Sequence, residues 1–384
     1  MKGIPEKLND VIIKNDVDLH RFSEGVRNQV EGLLIIAQNE ICGAIAATDV
    51  LGVEMTEWRM QRYAALNRRI SNILKTEYNI IAKGADSLFK DFAQTIAEGT
   101  PTMLNAAVGV NIFGSVTLTE ELLESLVTKN TVQGRIIGDW WASQSEDAIA
   151  RLQALMNKVS QECAVGLIKG ESITAMISAV RGTRASAAKG TLETPGALAV
   201  SKREATALVR TSVMQIAQDV RQKIYEANAD VLKGYQWCAT LDTRTTQICR
   251  ALDGKEWALS GEPIGHSIVF PGPPPVHFQC RSTLIPLTKS FLELQDEGNL
   301  PEDAIEQLAK LSAGVRASMG GPVPNVTYSE WLKGQSEEVQ LDVLGKSRYS
   351  LWRKGKISTF DDLVNQTGRA LTLEQLRKRM QGEE

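Results

Sequence analysis

Over most of its length this chain repeats apolar residues at intervals of three and four, and one segment breaks the rule. Phe22, Val26, Val30, Leu33, Ala37, Ile41 and Ala44 keep the interval; after a break at "VLGVEMTE", Leu66, Ile70, Ile73, Ile81, Leu88 and Phe92 resume it. Such spacing puts one apolar stripe on each helix. Two long helices with a short break between them pack most simply as an antiparallel hairpin. The stretch Gly99–Val116, with Pro101, Gly109 and Gly114, reads as a linker or extended arm. Helices resume in "SVTLTEELLESLV", where Thr119 and two glutamates suit a helix start. They continue from Glu146 to Leu167 and again in "SITAMISAVRG". Residues 183–201 are small and polar with little periodicity and read as a mobile loop. The clearest helix follows: Val209, Val213, Ile216, Val220, Ile224, Ala227 and Val231, with Gly234 as its stop.

Past Gly234 the pattern changes. "GYQWCATLD" alternates, and "KEWALS", "HSIVF" and "RSTLIPL" are short apolar runs between Gly and Pro clusters, so all four read as strands of a small antiparallel sheet. From Lys289 the chain returns to short helices with Gly breaks. The fold class is mainly α with one small α+β domain. The segments are 1–100 (long helices for partner docking), 101–200 (central helices with the loop), 201–288 (the α+β core) and 289–384 (short helices). At 384 residues the chain has room for two or three domains of ordinary size. Aromatics make up only 5%, which leaves the core to aliphatic side chains.

Charge and cysteine usage narrow the function. The net charge is −3, so this is not a protein whose whole surface grips nucleic acid. The basic clusters "WRKGK" and "LRKRM" near the C-terminus read as solvated helix faces. Five cysteines, an odd number, and an opening stretch without an apolar signal core point to synthesis in a reducing cytoplasm. The apolar run Met103–Val116 is too short for a membrane helix, and no membrane contact is expected.

The α+β segment concentrates the rare residues: Asp242, Arg244, Thr245, Cys249, His277, Cys280 and Arg281. Three readings compete. His277 and Cys280 have the spacing of a zinc half-site that Cys249 could join, but no CxxC knuckle is present and the fourth ligand is open among Cys238, Asp242 and His266. A Cys near a His is also a nucleophile and its base, yet no nucleophile motif, HExxH or paired-carboxylate pattern accompanies it, and no enzymatic activity is expected. The third reading is scaffolding. Asp242 makes a turn by bonding its own backbone, Pro273–Pro275 force an extended approach, and His277 and Arg281 tie the loop to Asp242 or to free carbonyls. The cysteines then pack as small apolar residues.

The line "LDTRTTQICRALDGKEW…PPPVHFQCRSTLIPL" resembles the Mu F-like minor head proteins, also described as phage head morphogenesis proteins. That family's pattern falls here on Asp242, Arg244, Thr245, Cys249, Leu252, Gly254, Pro274, Pro275, His277, Cys280 and Arg281. The helix before it, with Arg210 and Thr211, is similar too, and the resemblance spans most of residues 105–380. Many relatives carry further cysteines where this chain has Thr246 and Ser282, which counts against zinc here, so no cofactor or metal is expected. The resemblance implies a structural minor capsid protein of a tailed bacteriophage, made in the host bacterial cytoplasm and carried inside the head of the virion. It implies a place near the portal vertex and a part in procapsid assembly and in DNA packaging or ejection. Its implied partners are the portal protein, the major capsid or scaffold protein, and packaged double-stranded DNA. The alternative implied by some relatives is a delivered effector or nuclease using the His277/Arg281 region.

Overall fold

The computed structural model describes residues 4–47, 57–129, 131–132, 135–164, 172–183, 194–289, 315–318, 321–324, 326–365 and 370–381. The architecture is mainly α with a four-stranded antiparallel sheet. Helices α1 (Ile4–Ala47), α2 (Glu57–Val108), α3 (Glu120–Glu124), α4 (Ile137–Ala164), α5 (Ser172–Arg181) and α6 (Ala197–Ala227) precede the sheet. The sheet is built from β5 (Leu232–Cys238), β6 (Glu256–Ala258), β7 (Pro263–Ile264) and β8 (Thr283–Thr288), with α7 (Gln247–Leu252) between β5 and β6. Before it lie two two-residue pairs, β1 (Thr131–Val132) with β2 (Arg135–Ile136) and β3 (Gly182–Thr183) with β4 (Thr194–Pro195). After it come the hairpin β9 (Val315–Ser318) with β10 (Gly321–Pro324) and helices α8 (Tyr328–Lys333), α9 (Glu337–Arg353) and α10 (Leu373–Gln381).

The chain forms two compact units. One comprises residues 1–20, 92–126 and 214–384, the other 21–91 and 127–213. In the second unit, α1 buries Val26, Val30, Leu34, Ala37 and Ile41, and α2 buries Leu66, Ile70, Leu74, Tyr78 and Ile81. Polar side chains tie its helices together. Arg151 of α4 donates to Glu204 (2.8 Å) and Ser201 (3.0 Å) of α6, and Arg210 donates through Nε to Glu24 of α1 at 2.9 Å. By length and composition alone Lys7–Ala47 could cross a membrane, but its stripe of Leu34, Ala37, Ile41 and Ile45 is buried.

The first unit holds the later half of α6, which is buried along one broad face and leaves Lys223, Glu226 and Ala227 exposed. Val220, Ile224 and Tyr225 are fully buried, as is Arg221. A buried guanidinium needs partners. Arg221 has Asp16 at 2.7 Å, Asn15 at 2.5 Å and Thr283 at 3.3 Å. Gln218 also donates to Thr283 (2.8 Å), so α6 is bonded to β8. The sheet order is β7-β6-β5-β8, every pair antiparallel.

Several boundaries differ from the sequence expectation. The stretch from Gly99 is not a linker: α2 runs through Pro101 to Val108, because Ala97, Thr100, Leu104 and Val108 continue the buried stripe. Packing there outweighs the missing proline N–H. Within the expected loop 183–201, residues 197–201 already belong to α6, and residues 184–193 lie outside the described set. The turn of the expected hairpin, residues 48–56, lies outside it as well. Gly234 does not stop α6. The helix ends at Ala227, where Asn228 donates to the Ile224 carbonyl at 2.7 Å. Gly234 sits in β5, where a Cβ would stand 2.1 Å from the Trp257 carbonyl oxygen. "HSIVF" is not a strand: the fourth strand is Pro263–Ile264, and Trp257 Nε1 donates instead to the Ile268 carbonyl at 2.9 Å.

Candidate functional site

The rare residues gather at one end of the sheet, on the turn after β5, on α7 and on the approach to β8. Asp242 is the hub. Its Oδ1 accepts from the backbone of Arg244 (3.1 Å) and Thr245 (3.0 Å) and from the Thr245 hydroxyl (3.1 Å), the self-bonded turn expected of Asp. Arg281 then reaches across 39 residues with a two-pronged contact, 2.5 Å to Oδ2 and 2.8 Å to Oδ1. Burial pushes the Asp242 carboxyl up, but the Arg281 guanidinium and the Thr245 donors outweigh it and hold the carboxyl below its usual value. The tie between α6 and the sheet is made by Gln218 and Arg221 on Thr283 and by the Tyr225 hydroxyl on the Leu284 carbonyl.

Beside this hub lie Cys249, His277 and Cys280, whose ligand atoms are all within 4.8 Å of one another. Cys249 Sγ is 3.2 Å from His277 Nε2 and 3.6 Å from Cys280 Sγ. Both thiols are buried, 1% and 2% exposed. A backbone bond from Cys280 N–H to the His277 carbonyl (3.2 Å) closes the turn, with Gln279 in the left-handed region at φ 58°. His277 Nδ1 meets the Phe278 carbonyl at 2.9 Å, which places a proton on Nδ1 and leaves Nε2 facing the sulfurs. The two thiols titrate apart. The Cys249 hydrogen bond, against burial, holds Cys280 far down; the same bond and burial push Cys249 up. Burial lowers His277, but the Cys280 thiol outweighs it and its net shift is upward.

Other expected residues take lesser parts. Arg244 is 81% exposed and its guanidinium lies 3.7 Å from Asp242. Gly254 has φ +76°, which a residue with a Cβ adopts only under strain. Pro274 and Pro275 are buried and joined by a cis bond. Thr246, at the start of α7, spends its hydroxyl on His277 Nε2 at 2.8 Å rather than on a helix cap.

Sequence reasoning missed Arg250, Asp253 and Tyr328. Arg250 is buried, donates to the carbonyls of Thr243 (2.8 Å) and Val343 (2.7 Å), and lies 5.3 Å from the Tyr328 ring centre. Asp253 accepts from the Ala239 backbone and, at 2.7 Å, from the Tyr328 backbone; the Tyr328 hydroxyl donates to the Asp242 carbonyl at 2.7 Å. These bonds fasten the C-terminal helices to the signature turn. The one available signal was a charged residue inside "ICRALDG", next to apolar neighbours that cannot all face water.

A small antiparallel sheet packed on a long buried helix, with its two polar loops stapled by Asp–Arg and Cys–His–Cys contacts, defines a compact α+β module. Residues 157–285, about a third of the chain, match the family described as Phage Mu protein F like protein, so this part of the chain is similar to Mu F-like phage head morphogenesis proteins. No curated protein and no solved structure matches the chain.

Proposed function

We propose that this protein is a structural minor component of a tailed-phage head that acts near the portal vertex during procapsid assembly, in contact with the portal protein, the capsid or scaffold protein and packaged DNA, and without catalysis of its own. One observation carries the reading. The polar atoms of the signature are spent on one another and on backbone: Asp242 on Arg281 and Thr245, Arg250 on two carbonyls, Asp253 on two backbone amides. A catalytic set keeps such atoms for substrate. The Cys249–His277 pair has the separation of a nucleophile and base, but both thiols are shut off from solvent. The exposed Ile35 and Ile36 on α1 and Ile80 on α2 offer apolar contacts for protein partners, and the basic last turn of α10, Lys378 and Arg379, offers a local DNA contact.

The test is co-expression of the full chain with the portal protein of the same phage, followed by size-exclusion chromatography. Co-elution with the portal ring is expected. Its absence, with no incorporation into procapsids, refutes the reading. A nuclease and transferase assay beside His277→Ala covers the effector alternative, since activity lost in that variant would establish it.

A further inference from the structure

We propose that Cys249, His277 and Cys280 form a zinc site of this protein, with a solvent water as fourth ligand on the Thr246 side. Spacing along the chain offers only a half-site and leaves packing as the simpler reading. The distances add what spacing lacks. Tetrahedral zinc with ordinary bond lengths places two sulfurs about 3.7 Å apart and a sulfur and a nitrogen about 3.6 Å apart. The protein already holds its sulfurs at 3.6 Å and Cys249 Sγ and His277 Nε2 at 3.2 Å. The third pair, Cys280 Sγ and the His277 nitrogen, lies within 4.8 Å, so a small adjustment would bring all three ligand atoms onto one ion.

The surroundings agree. Metal-binding imidazoles commonly give their second N–H to a carbonyl, which fixes the ring and its tautomer. His277 does so through Nδ1 to the Phe278 carbonyl at 2.9 Å. Each ligand sits on a braced element: Cys249 on α7, and Cys280 beside Arg281, which is clamped to Asp242. The fourth ligand would enter past Thr246, which is exposed and whose hydroxyl is 2.8 Å from His277 Nε2, on the imidazole side of the cluster and away from the buried thiols. On binding, the imidazole offers its neutral Nε2 and both sulfurs bind as thiolates, with the displaced protons passing to solvent.

The experiment uses the tag-free full chain purified without chelator. Elemental analysis is expected to give about one zinc per chain. After chelator treatment, added Co²⁺ is expected to produce a thiolate-to-cobalt charge-transfer band. Cys249→Ser or Cys280→Ser should weaken binding at least about 100-fold, beyond what loss of a supporting contact costs. Thr246→Cys, at an exposed position that does not threaten folding, should tighten it at least tenfold by replacing the water with a thiolate. Absence of both zinc and the cobalt band in the unaltered chain overturns the proposal. So does a Cys249–Cys280 disulfide in the freshly purified protein, or tightness unchanged in Thr246→Cys. None of these readouts depends on portal binding, so this proposal and the structural role fail separately.

Discussion

Replacing Arg281 by Ala should loosen the whole sheet end, by an amount the contacts bound. The Asp242 side chain is 11% exposed and that of Arg281 25%. A fully buried pair broken on one side costs about 3–5 kcal/mol, because a bare charge stays behind. Here the loss is smaller, since Asp242 keeps the Thr245 amide, the Thr245 hydroxyl and the Arg244 amide. Two charged hydrogen bonds with partial solvent access make about 2 kcal/mol the expected cost. That corresponds to about 30-fold more frequent opening of the segment. Hydrogen–deuterium exchange of the peptides carrying β5 and β8 reads it directly, because exchange tracks local opening. Arg281→Lys keeps the charge but loses the fork and should fall between the two. The effect also depends on pH. The folded Asp242 carboxyl lies below the unfolded value of about 3.9. The pair therefore stabilises fully above that value and its contribution is lost as pH falls through the lower, folded one. In Arg281→Ala burial is less opposed, so the gap between the two proteins must close in acid. Exchange rates changed less than about threefold at neutral pH, or a gap that persists at low pH, would refute the staple.

Three further outcomes follow from single contacts. Gly234→Ala drives a Cβ to within 2.1 Å of the Trp257 carbonyl, so β5 and β6 must part; about 1–3 kcal/mol should be lost, read as a lower thermal midpoint. Gln279→Gly relieves a left-handed residue and should be neutral or stabilise by up to about 1 kcal/mol, whereas Gln279→Val, β-branched at the same φ, should destabilise, both read by urea midpoint. Tyr328→Phe removes the donor to the Asp242 carbonyl and should cost about 1–2 kcal/mol, with faster proteolytic release of the C-terminal helices.

The helices were legible because period 3.6 survives any tertiary context, but their registers and ends were not. Spacing alone selects Leu33, Ile73 and Leu88, while the buried residues are their neighbours Leu34, Leu74 and Phe89. Two adjacent apolar residues both fit the interval, and only the partner surface chooses between them. Pro101 and Gly234 misled for a related reason. Local propensity reads them as breakers, whereas packing holds one inside α2 and a close strand approach requires the other in β5. The site was legible as a residue set, since Asp242, Cys249, His277, Cys280 and Arg281 do converge. Its geometry was not, because a distance across 28 to 39 residues of chain is set by the sheet between them.

That sheet leaves a problem which the signature residues solve. Gly265 to Ser282 is a run of eighteen residues with no helix or strand, longer than most connections in a compact domain tolerate. A segment of that kind loses much conformational entropy on ordering and has no ladder to offset it. Side chains supply the offset at intervals. Near its start His266 binds the Glu256 carbonyl at 2.8 Å, and Trp257 holds the Ile268 carbonyl. A third of the way along, Phe270 packs against Tyr235 with the rings tilted and their centres 4.8 Å apart. Toward its end His277 and Cys280 meet Cys249, and Arg281 closes on Asp242. Each tie shortens the loop that the next must close, so their contributions are coupled rather than additive. A double variant lacking both Arg281 and Cys280 should therefore loosen the segment by an amount different from the sum of the two single losses, and a strictly additive result would mean that the two staples hold independent pieces of chain.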